Sequence, residues 1–179
     1  MSTTVIKVIL ETKSLVFRDL AIDSNRNLED LHFSILNAFD FEGKQMASFL
    51  KTDDDWQVEA EYSLTLLGND DESLLMKNNK IASILPEKGD VLTYIYDYLN
   101  EWRFELEVLE IEDKTTTETV VLKKHGKAPD ESERWLSGDD ASKILMNEIL
   151  GEDLEEEEGD EDLFGSGDFD SIDDYEEFL

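Results

Sequence analysis

The chain holds 179 residues, of which 46 are acidic, 16 basic and none cysteine, giving a formal net charge of −30. The missing cysteines exclude a disulfide framework, a Cys-type zinc site and a thiol nucleophile. The negative balance argues against direct nucleic-acid binding, because a phosphate backbone is gripped by clustered Lys and Arg. The length suits one domain with an appendage.

In chain order, Val5 to Thr12 and Leu15 to Ile22 are β-rich runs bounded by polar residues, which predicts two strands. Asn27 stands where a helix N-cap belongs, and Glu29 and Asp30 suit the positive end of a helix dipole. Leu28, Leu31, Ile35, Leu36 and Phe39 recur on one helical face, with Gly43 as the expected stop. Met46 to Leu50 and Trp56 to Glu61 read as a hairpin, and Ile81 to Leu85 as a short helical turn before Pro86. Val91 to Tyr98 is a strand. After a turn near Leu99-Asn100, Trp102, Phe104, Leu106 and Val108 alternate with polar residues, as in a strand buried on one side. Thr115 to Leu122 is a further strand candidate. A helix capped at Asp139 or Asp140 and closed by Gly151 ends the body.

The last 29 residues differ from the rest. From Gly151 to Leu179 there are 15 acidic residues and no basic one. Such a segment repels itself and buries too little to offset ordering entropy, so it is expected to be disordered when free. Large apolar residues punctuate it: Phe164, Phe169, Ile172, Tyr175, Phe178 and Leu179. Acidic residues interspersed with aromatics are a composition suited to docking on a partner, and Phe169 to Phe178 recur every third residue, as a helix formed in a groove would use them.

Candidate chemistry is sparse. Carboxylates are abundant, but an EF-hand register started at Asp160 places Phe164 and Ser171 where oxygen ligands belong, so no metal site is expected. No cofactor motif is present, and nucleophile-elbow, phosphate-loop and zinc-helix signatures are missing. His32 sits beside an apolar helix face and reads as a hydrogen-bonded core residue. Lys123, Lys124 and Lys127 with His125 form the one local basic cluster and a possible anion patch. Tyr94, Tyr96, Tyr98, Trp102 and Phe104 offer a stacking platform for bases, although alternate strand residues face opposite sides, so about half of them are expected to fill the core.

Three segments carry a resemblance. Leu28-Glu29-Asp30-Leu31-His32, then Tyr94-Ile95-Tyr96-Asp97-Tyr98-Leu99-Asn100-Glu101-Trp102-Arg103-Phe104, then Gly126-Lys127-Ala128-Pro129-Asp130 resemble the signatures of the plasmid pRiA4b ORF-3-like proteins. His32, Tyr96, Asp97 and Trp102 stand at the signature positions. Leu99-Asn100 replaces the family's Gly-Asp, and Phe104 its frequent His. The resemblance spans roughly 5–150. It implies an α+β fold, with a curved, mainly antiparallel sheet, and no established activity.

The whole reading is an α+β domain over 1–150, in which an N-terminal and a C-terminal helix cover an antiparallel sheet, followed by an acidic-hydrophobic tail over 151–179. The expected function is a non-enzymatic, cytoplasmic interaction protein that neither crosses a membrane nor carries a cofactor. Its tail would dock on a protein with a basic surface, of the kind found in nucleic-acid metabolism. Two alternatives remain: a tail-autoinhibited binder of an anionic ligand or nucleic acid, and an enzyme with a His32/Asp97 pocket.

Overall fold

The computed structural model describes residues 1–66, 68 and 71–132. The elements run β1 (Thr3–Leu10), β2 (Val16–Asp23), α1 (Leu28–Ala38), β3 (Ala47–Thr52), β4 (Val58–Ser63), two 3-10 turns, α2 (Ile81–Ile84), β5 (Val91–Tyr96), β6 (Trp102–Glu112) and β7 (Val120–His125). The strands form one antiparallel sheet ordered β4-β3-β5-β6-β1-β2-β7.

Position in the sheet explains each strand's pattern. β6 buries Trp102, Phe104, Leu106 and Val108 while Arg103, Glu105 and Glu107 stay exposed, the alternation of a strand with one wet face. β2 is buried along nearly its whole length. Its second face is covered by long side chains: Lys7 pairs with Asp19 at 3.1 Å, and Lys7 and Lys123 lie over the Phe17 ring.

Helix α1 begins as its sequence demands, with the Asn27 side chain accepting the Asp30 N–H at 2.8 Å. Leu28, Leu31, Ile35 and Leu36 join Ile6, Val8, Leu20, Ile22 and Phe104 in the core. Eleven residues are marginal as an isolated helix. Burial of those four side chains, about 1.5–3 kcal/mol each, is what holds it.

The first four strands are shifted by one or two residues from expectation, and three other differences have an identifiable local cause. The helix is stopped by Phe39 and by Asp40 at φ 60°, not by Gly43, which follows at φ 78°. An Asp tolerates the left-handed region at small cost and so ends the helix before the glycine is reached. β5 stops at Tyr96 because Asp97 is also left-handed, at φ 60°. The last strand is Val120–His125 and not Thr115 to Leu122. As an edge strand it pairs only with β2, and edges accept lysine. The predicted C-terminal helix and the tail lie outside the described residues.

Candidate functional site

A cleft of about 1100 Å³ opens where α1 ends. Four segments distant in sequence wall it: the β1–β2 connection with the start of β2, the residues after α1, the β5–β6 turn, and the stretch after β7.

The β5–β6 turn contributes Asp97 and Asn100. Asp97 is buried and its carboxylate ties the turn, accepting the Leu99 N–H at 3.2 Å, the Asn100 N–H at 3.3 Å and the Asn100 side-chain amide at 2.6 Å. Its own N–H donates to the Met46 carbonyl, and its carbonyl accepts from Glu101. The family-signature Asp is therefore the organiser of a left-handed turn. Leu99 and Asn100 complete that turn by donating to the Asp97 carboxylate.

Glu131, from the stretch after β7, closes the opposite wall. Its Oε1 accepts the Tyr96 hydroxyl and its Oε2 the Glu42 backbone N–H, both at 2.5 Å. Burial, reinforced by the Glu131 carboxylate, pushes the Tyr96 phenol up to about 12. One carboxylate thus joins β5, the chain after α1 and the last described segment.

Arg18 enters the cleft wall from β2, yet only 5% of its surface is exposed. Its Nε donates to the Ala38 carbonyl at the end of α1, where no helical residue is basic. Its Nη1 donates to the carbonyls of Phe17, His125 and Gly126 at 2.8, 2.9 and 3.2 Å. A cation at a helix C-terminus meets the negative end of the dipole. The guanidinium also lies 4.9 Å from the Phe39 ring centre. Desolvation draws its pKa down from the usual value, and the Asp40 carboxylate opposes part of that fall. Gly126 permits the arrangement, since at φ 73° an added Cβ would stand 2.4 Å from the Leu15 carbonyl oxygen.

The residues singled out from sequence are distributed unevenly around this cleft. His32 is fully buried, accepts or donates at 2.7 Å to the Tyr94 hydroxyl through Nδ1, and is not part of the wall. Its Nε2 has no hydrogen-bond partner, a property shared among the fully buried side-chain polar atoms of the described residues only by Trp102 Nε1. Burial lowers the imidazole pKa to about 4. His32 and Asp97 therefore do not share the cleft. The three lysines are also parted, because alternate strand residues face opposite sides. Lys123 stands opposite Asp19 and Lys124 opposite Arg18 in the β2–β7 register, whereas Lys127 lines the cleft. Tyr94, Tyr96, Trp102 and Phe104 face one way and fill the core, with Tyr98 half-buried beside them. They form no exposed stacking platform. Phe164, Phe169, Ile172, Tyr175, Phe178 and Leu179 lie outside the described residues.

Arg18, Asp40 and Glu131 were not anticipated. One signal was available for Arg18: in Val16, Arg18, Leu20, Ile22 a charge occupies an inward position of an otherwise apolar alternation.

Sheet, helix and cleft define a class of antiparallel-sheet domain in which the second and third signature segments meet at the C-terminal end of α1. The chain belongs to the family described as plasmid pRiA4b ORF-3-like protein, whose model matches residues 2–171. That match runs past the 5–150 stretch into the acidic segment. The fold is similar to the crystal structure of MM3350 from Methanosarcina mazei Go1, a protein of unknown function, with a TM-score of 0.63 at 16% identity over 86% of this chain and 91% of that one. This likeness shows the fold. No curated protein matches. Among the described residues no helix is long and apolar enough to cross a membrane, and no group of His, Asp and Glu side chains is arranged to hold a metal.

Proposed function

We propose that the chain is a non-enzymatic interaction protein of the cytoplasm whose acidic tail docks on a partner with a basic surface, of the kind common in nucleic-acid metabolism. The observation that carries this reading is the segregation of charge: 15 acidic and no basic residues over 151–179, with apolar side chains set among them. Complementary charge speeds encounter, and Phe169, Ile172, Tyr175 and Phe178 supply the apolar anchors that charge alone lacks. The body supports the reading in one respect. His32, on which an enzyme reading leans, is neutral, buried and engaged by Tyr94 away from the Asp97 cleft.

The test compares three proteins in affinity capture at low and high salt: the full chain, a 1–150 truncation, and a full chain with Phe169, Ile172, Tyr175 and Phe178 changed to Ala. A defined partner held by the full chain alone and released by salt is the expected result. Equal capture by all three would move the function onto the body.

A further inference from the structure

The cleft looks acidic by composition, since Asp40, Glu42, Asp97, Asp130 and Glu131 all reach its wall. Most of these carboxylates are already engaged. Asp97 is taken by its own turn, Glu131 by the Tyr96 hydroxyl and the Glu42 N–H, Asp130 by Ser132, and Glu42 by Lys44.

The two cations of the wall are in the opposite condition. Among the described residues, Arg18 and Lys127 make no salt bridge. Nε and Nη1 of Arg18 are committed to carbonyls, which leaves Nη2 as the edge without a protein acceptor. A guanidinium this deeply buried cannot discard its proton, and Asp40 acts on it electrostatically without forming a salt bridge. Carbonyl dipoles hold it in place, and Asp40 compensates its charge only in part. A charged donor nitrogen held at a cleft wall can give a charge-assisted hydrogen bond to one oxygen of a carboxylate or phosphate.

We propose that the cleft is a binding site for the oxyanion of a small molecule, a carboxylate or a phosphate, held between Nη2 of Arg18 and Nζ of Lys127. The surrounding carboxylates limit what can enter. A polyanion such as nucleic acid meets Asp40, Asp97 and Glu131 at once, whereas a singly charged or zwitterionic molecule does not. Asp40, the wall carboxylate without a hydrogen-bonded partner among the described residues, suits the amino group of a zwitterion. The proposal does not rest on the tail reading, because it is argued from Arg18, Asp40 and Lys127 of the described residues alone.

The test is calorimetric titration of the full-length chain with sodium acetate, glycine and inorganic phosphate at constant ionic strength. Acetate and glycine report a carboxylate ligand, phosphate the alternative source. Saturable millimolar binding of at least one is expected. Lys127→Gln, at an exposed position with no packing role, should weaken it roughly tenfold, the worth of a charge-assisted hydrogen bond. Lys88→Gln makes the same charge change at an exposed turn outside the cleft and should leave binding as it was. Absence of saturation with all three probes, or equal weakening by both variants, would overturn the proposal.

Discussion

Helix α1 buries two basic groups, one against its middle and one at its C-terminal end, and the fold treats them differently. His32 lies wholly in the core beside Tyr94 and gives up its charge, its pKa falling to about 4. Arg18 is nearly as buried but cannot give up its charge. The fold instead supplies four carbonyls and leaves one edge of the guanidinium in a cleft. Desolvation neutralises a group that can titrate, while a group that cannot must be surrounded by acceptors. The second solution leaves a polar opening in the wall of an apolar core. That opening is where the proposed oxyanion would bind.

The sharpest way to break the contrast is Arg18→Met, which leaves four carbonyls without their donor. A loss of about 3–4 kcal/mol in urea denaturation is expected. A loss below about 1 kcal/mol would mean that the carbonyls are readily rehydrated and that Arg18 is not structural. The complementary change acts through pH. The folded His32 pKa lies below the unfolded value, so the unfolded chain binds the extra proton. Stability is therefore unaffected by His32 above pH 6.5 and declines as pH falls from there toward about 4. The full loss is on the order of 3 kcal/mol. His32→Leu should flatten this part of the pH–stability curve, and an unchanged slope would assign acid sensitivity to the carboxylates.

A smaller effect is expected from Gly126→Ala. The new Cβ meets the Leu15 carbonyl from a left-handed backbone, which costs on the order of 2 kcal/mol and loosens the carbonyls around Arg18. Thermal denaturation would register this, and a neutral result would show that the stretch after β7 shifts freely. The mildest change is Glu131→Gln. Spectrophotometric titration should bring the Tyr96 pKa part of the way back from about 12, and no further, because burial is the larger cause.

Much of the framework was legible in the sequence, for local reasons. The cap at Asn27, the spacing Leu28, Leu31, Ile35, Leu36 and the alternation through Trp102 to Val108 each encode one element within a dozen residues. β7 was misplaced because the Thr-rich run before it has the higher strand propensity, whereas pairing with Phe17 to Asp19 selects the lysines. The cleft was not legible at all. Arg18, Asp40, Asp97 and Glu131 come from four segments, and only the sheet order β1-β2-β7 beside β5-β6 brings those segments to one end of α1. The signature residues divided along the same line. Asp97 lines the cleft, whereas His32 and Trp102 are buried without lining it.

The central claim, that a buried guanidinium edge awaits an external oxyanion, is tested most directly at the atoms concerned. In full-length protein labelled with nitrogen-15, the arginine side-chain resonances would be followed by NMR during titration with acetate and with phosphate. A saturable shift of the Arg18 resonances, with Arg26 and Arg103 unmoved, is the result this account predicts. Arg18 remaining unchanged while the exposed arginines drift with added salt would contradict it.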